Sequence, residues 1–113
     1  MNLGQLEGAV ADFDRTIALG LDRGAVRANR GLAKMNLGDN EGAIVDFDRA
    51  IELDPGSAAA ISLNRGLARQ NLGDDAGALA SWEEALRLGL DPDWTAQVRG
   101  FIAEAKKRLA QGQ

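Results

Sequence analysis

The chain has 113 residues, 45% hydrophobic and 27% charged, with a formal charge of −4, which is enough for one folded domain with a working core. It lacks cysteine, histidine and tyrosine. That removes disulfides, thiol nucleophiles and the commonest acid–base groups, and the cysteine-free composition fits a reducing, cytoplasmic setting. The acidic balance speaks against nucleic acid, which needs clustered Lys and Arg; no apolar run reaches the roughly 20 residues of a membrane span, and no signal peptide is visible.

Taken in order, every strongly patterned stretch has helical spacing and every break carries Gly, Asp or Pro. A first helix is predicted from about Gln5 to Leu19, with Leu6, Val10, Phe13 and Ile17 on one face. Met1-Asn2-Leu3 before it reads as the stump of another helix. Gly20 to Gly24 link to a second helix, Ala25 to Leu37, stopped by Gly38. Asp39 or Asn40 caps a third, Glu41 to Leu53, with Ala43, Ile44, Phe47, Ala50 and Ile51 as its apolar face. Asp54-Pro55-Gly56-Ser57 ends it, because proline cannot continue a helix. The pattern then repeats as Ala58 to Leu72 and Asp75 to Leu88. A last helix starts near Asp91-Pro92-Asp93, with proline suited to a first turn, and carries Trp94, Val98, Phe101, Ile102, Ala105 and Leu109. The basic run Lys106-Lys107-Arg108 falls on this helix near its end, where cations suit the dipole.

The chain repeats itself. Asn-Arg-Gly-Leu-Ala occurs at Asn29 and again at Asn64, and each copy leads into Asn-Leu-Gly-Asp, Gly-Ala, an aromatic and Ala. The opening residues hold a third version of that second half, with Gly8-Ala9 and Phe13. A period near 34 residues marks one supersecondary unit stacked repeatedly. Gly31 and Gly66 fall inside helices, where glycine costs about 1 kcal/mol relative to alanine. Their presence predicts a neighbouring helix too close for a side chain, with Ala43 and Ala78 as the matching small surface and Phe47 and Trp82 as wedges. Gly100, thirty-four residues after Gly66, places the last helix in the same class as those starting near Ala25 and Ala58.

These residues resemble the tetratricopeptide repeat, a helix-turn-helix unit of about 34 residues. Gly31, Gly38-Asp39, Ala43, Phe47, Ala50 and Pro55 match its pattern in one unit, and Gly66, Gly73-Asp74, Ala78, Trp82 and Ala85 in the next. Two departures stand out: Arg27 and Ser62 replace an early aromatic, and Leu6, Asn40 and Asp75 replace one just past the turn. The resemblance implies an all-α, right-handed α-solenoid of stacked antiparallel helix pairs, with about six helices, starting out of phase on a second-type helix. The expected organisation is a single repeat domain over 1–113: a partial repeat at 1–23, repeats at 24–57 and 58–90, and a closing helix at 91–113.

The resemblance also implies a concave groove lined by the first-type helices. Helical spacing puts Ala28, Asn29, Leu32, Met35 and Asn36 on one wall, with Leu63, Asn64, Leu67, Gln70 and Asn71 in the middle and Phe101 beyond. Apolar side chains supply burial there and amides bond a peptide backbone. Leu32, Leu67 and Phe101 also fit packing between helices, with groove lining the preferred reading. In one version of the groove, Lys, Arg and Asn clamp a terminal carboxylate; here only Asn64 matches, with Ala28, Leu32, Trp94 and Val98 at the other clamp positions. The resemblance therefore does not extend to acidic chaperone tails.

Chemistry has little to stand on. Asp12 with Asp14 and Asp46 with Asp48 flank Phe13 and Phe47 and read as solvated helix surface, and neither a calcium loop nor a phosphate-binding glycine loop is present. The sequence points to a protein or peptide partner, with no catalysis, cofactor, metal, nucleic acid or membrane. Self-assembly is the alternative: Leu6, Val10, Phe13 and Ile17 form an apolar face on an opening helix without its usual partner, which is a candidate homo-oligomer interface. A third reading, an accessory domain of a larger enzyme, needs a catalytic region outside these residues.

Overall fold

The computed structural model describes residues 2–112. Among them are six α-helices: α1 (Leu3–Ala18), α2 (Gly24–Asn36), α3 (Asn40–Leu53), α4 (Ala58–Asn71), α5 (Asp75–Leu88) and α6 (Pro92–Gln111), with one 3-10 turn at Pro55–Ser57 and no strand. The all-α class and the six helices expected from the apolar spacing are both found.

The helix ends follow from their capping residues. Asp39, Asp74 and Asp91 each accept a hydrogen bond from the backbone N–H three residues on, at 2.8–2.9 Å, which satisfies one of the orphan donors of a helix start. Gly38 and Gly73 take φ of 89° and 79°, a left-handed conformation that ends α2 and α4 without steric cost. The start of α1 differs from expectation. Asn2 and Leu3 are not a stump: the Asn2 side chain accepts from Gln5 N at 2.8 Å while Gln5 Oε1 accepts from Asn2 N at 3.1 Å, a reciprocal capping box. Met1 lies outside the described residues.

Contacts divide the chain into two compact units, with the boundary between Ser57 and Ala58. In the first unit α2 runs antiparallel to both α1 and α3. Gly24 faces Ala50 and Asp54, while Gly31 faces Ala43 and Phe47, and a Cβ on Gly31 would meet Phe47 Cε1 at 2.7 Å. That contact explains why a helix-disfavouring residue sits mid-helix. Phe47, Ala43 and Ala50 are fully buried.

Asp46 is also fully buried, which corrects the expectation of a solvated acid. Arg30 grips it through two bonds, Nε to Oδ2 at 2.8 Å and Nη2 to Oδ1 at 2.7 Å. Arg27 Nη1 and Lys34 Nζ each approach to 3.3 Å. Burial alone pushes the Asp46 carboxyl up, but the bonds from Arg30 and the charges of Arg30 and Lys34 outweigh it and hold the group below its ordinary value. Arg30 is raised by the same hydrogen bonds. Arg27, at the position where the repeat often has an aromatic, also binds Asp22 at 2.7 and 3.1 Å.

In the second unit α5 runs antiparallel to α4 and α6. Its centre is Trp82, fully buried with Ala78, Ala85, Val98 and Ala105. Trp82 Nε1 donates to Leu63 O at 3.2 Å, its ring lies 5.4 Å from that of Phe101, and Gly66 leaves no room for a Cβ beside the indole, whose Cδ1 would stand 2.6 Å away. Ser81 is buried and accepts from Arg65 Nε at 3.2 Å and Arg69 Nη1 at 3.1 Å.

Candidate functional site

The first unit opens between α1 and α2 into a cleft of about 240 Å³. From α1 it is lined by Leu6, Ala9 and Phe13, spaced so that all three fall on one helix face. From α2 it is lined by Asn29, Leu32, Ala33 and Asn36, again one face. Through Leu6 and Asn36 the cleft continues into a wider opening that also touches Asn2 and Leu3. Leu6 and Ala33 are buried at the floor, Phe13 and Leu32 are half-buried, and Asn29 and Asn36 are exposed at the rim. Two amides seven residues apart thus flank an apolar floor.

This geometry joins residues that the sequence assigned to two surfaces. Asn29, Leu32 and Asn36, expected in a groove, share one cleft with Leu6 and Phe13, expected in a self-association face. Ala28 and Met35 are half-buried on α2, and Val10 and Ile17 half-buried on α1, outside the lining of this cleft.

The groove residues of the second unit divide differently. Leu63 is 5% exposed and belongs to the Trp82 core, so it offers no surface to a partner. Leu67 and Phe101 are partly buried against the same core. Asn64 and Gln70 are half-buried and Asn71 is exposed. This unit has its own cleft, between the start of α5 and the end of α6, where Arg108 Nε bonds Asp75 Oδ1 at 2.8 Å. Among the described residues no group of three His, Cys, Asp or Glu stands where it could hold a metal ion, and no helix is long and apolar enough to cross a membrane.

The cleft has a counterpart inside the chain. Adding sixty-nine residues to Ala9, Phe13, Asn29, Leu32, Ala33 and Asn36 gives Ala78, Trp82, Val98, Phe101, Ile102 and Ala105. Every one of these belongs to the Trp82 core or packs against it, and helix α4 fills that place with Leu63 and Leu67. The cleft is therefore the surface that takes a helix in the second unit. Two of its positions differ in kind, since Val98 and Ala105 are replaced by Asn29 and Asn36.

A sequence model of the tetratricopeptide repeat matches residues 25–57. Among solved structures, the second TPR domain of the human RPAP3 protein, in complex with the HSP70 peptide SGPTIEEVD, is 30% identical, with a TM-score of 0.76 over 91% of this chain and 82% of that one. The Yersinia enterocolitica type III secretion chaperone SycD, in complex with a peptide of the translocator YopD, shares the fold with a TM-score of 0.83 and 16% identity over 93% and 82% of the two chains. No curated protein sequence matches the chain.

Proposed function

The chain belongs to the tetratricopeptide repeat family, and from that premise we propose that it is a non-catalytic protein-interaction module whose α1–α2 cleft seats a helical segment of a partner protein. The observation that carries this is the correspondence between the cleft and the bed of α4: the same positions that bury Leu63 and Leu67 in the second unit line an open surface in the first. Burial of apolar side chains against Leu6, Phe13 and Leu32 supplies the driving force. Asn29 and Asn36 supply selectivity, because an amide covered without a hydrogen-bond partner costs about 1–3 kcal/mol. The preferred segment is thus amphipathic and carries polar groups at two places on its docking face.

Two similar structures hold peptides, which supports an interaction role for this fold. The peptide in the RPAP3 complex ends in Glu-Glu-Val-Asp. The lining of the cleft includes no Lys or Arg, so a segment chosen for its acidic end is not what this surface favours.

A synthetic peptide with the sequence of residues 58–71, which is α4, is a suitable probe. It should bind saturably to the intact protein, and Leu32→Asp should abolish binding while circular dichroism shows unchanged helix content. Undiminished binding to Leu32→Asp would place the seat elsewhere.

A further inference from the structure

We propose that the helix seated in the α1–α2 cleft is α6 of a second copy of this chain, docked so that Gly100 covers Phe13 and Arg99 pairs with Asp12. This names the occupant of the cleft and rests on the docking role proposed above.

The chain makes one helix-to-helix contact twice. Gly31 lies against Phe47, and Gly66 against Trp82, each glycine sixteen residues before its aromatic and each without space for a Cβ. Beside the first of these, Arg30 holds Asp46 at 2.7 Å. The pattern Arg-Gly on one helix facing Asp-Phe on the next is therefore a matched pair of faces. Arg99-Gly100 and Asp12-Phe13 are further copies of its two halves.

Both halves stand open. A Cβ built on Gly100 meets nothing within 4 Å, although Gly31 and Gly66 are closed against rings. Phe13 lines the cleft, whereas Phe47 and Trp82 are fully buried. Arg99 and Asp12 are exposed, and among the described residues neither side chain has an ion-pair or hydrogen-bond partner.

The charges agree with the register. The exposed charges of α6 around Gly100 are Arg99, Glu104, Lys106 and Lys107, a net positive set, and those of α1 are Glu7, Asp12, Asp14 and Arg15, a net negative one. An antiparallel approach that puts Gly100 over Phe13 puts Arg99 beside Asp12, as Arg30 stands beside Asp46. Opposite charges set the register and speed encounter, and the association weakens as salt rises. The contact is heterologous: each added copy still presents a free α1 cleft and a free α6, so growth does not stop at two.

Sedimentation equilibrium of four proteins tests this. The wild-type weight-average mass should rise with concentration beyond twice 11.9 kDa. Gly100→Leu fills the open space on α6 without touching its own unit, so it should remain folded and monomeric. Asp12→Arg should also be monomeric. An equimolar mixture of these two variants keeps one good α6 and one good α1, so it should form a dimer that grows no further. Combining Arg99→Asp with Asp12→Arg in one chain should restore growth. Association of Gly100→Leu at wild-type strength would overturn the proposal, as would a wild-type monomer throughout or a mixture that stays monomeric. If the 58–71 peptide still binds the cleft in those cases, the docking role stands and only the choice of occupant fails.

Discussion

Asp46 and Ser81 hold one position in successive repeats, thirty-five residues apart, and both are buried. Each is met by side chains sixteen and twelve residues earlier: Arg30 and Lys34 for Asp46, Arg65 and Arg69 for Ser81. The cationic side of the contact is kept and the anionic side is not. The first unit therefore depends on a buried charge cluster that the second replaces with a hydroxyl.

Replacing Asp46 by Asn should accordingly be severe. Neutralising the buried carboxylate deprives Lys34 of its partner and Arg30 of its two-bond grip, although Arg30 keeps Asp14 and Arg27 keeps Asp22, and should cost up to about 3–5 kcal/mol. Ser81→Ala removes only a neutral acceptor and should cost about 1 kcal/mol. Urea unfolding of both variants measures the difference; an Asp46→Asn loss below about 1 kcal/mol would mean that the cluster contributes nothing net.

The same cluster sets an acid limit. Asp46 titrates below its ordinary value in the folded protein. Its contribution is therefore fully present above the unfolded pKa of about 3.9, and it is lost as pH falls through the lower folded value. The stability gap between wild type and Asp46→Asn should be constant from pH 7 to about 5 and shrink towards pH 2. A gap independent of pH over that range would contradict the assignment.

Three glycines should respond differently to alanine. Gly31→Ala and Gly66→Ala drive a Cβ into Phe47 and Trp82. Trp82 cannot easily move, because Nε1 is tied to Leu63 O. Losses of about 1–3 kcal/mol are expected from overpacking. Gly100→Ala meets open space and should gain up to about 1 kcal/mol of helix propensity. Thermal melts of the three variants at low concentration separate these outcomes.

The aromatic wedges should rank by burial. Phe47→Ala empties a fully buried site and should cost about 3–5 kcal/mol. Phe13→Ala, half-buried at the cleft, should cost clearly less while weakening peptide binding. Equal losses would mean that Phe13 is core and the cleft is not a docking surface.

Most of the fold was legible because its signals are local. The Gly-Asp turns, the apolar spacing and the thirty-four-residue period placed α5 at its observed bounds, and the other helices within a residue or two where both ends were predicted. The Asn2 cap was missed although Asn2 and Gln5 have capping-box spacing. Asp46 was misplaced because its charge was weighed above its position. It lies three residues after Ala43 and four before Ala50, inside the buried face, and Arg27, Arg30 and Lys34 share one side of the preceding helix. Those spacings were the available signal. The cleft was harder: Leu6 and Leu32 sit on different helices, and helical periodicity describes each helix alone. Leu63 shows the same limit, since only its burial and its place in the Trp82 core show that it faces inward.

The most direct test is a ¹⁵N–¹H correlation spectrum of Gly100→Leu, chosen as a monomer, titrated with the peptide of residues 58–71. Docking in the α1–α2 cleft predicts that the side-chain amide signals of Asn29 and Asn36 and the backbone signals of Leu6, Phe13 and Leu32 shift together along one saturating curve. Shifts confined to α4, α5 and α6, with Asn29 and Asn36 unmoved, would contradict it.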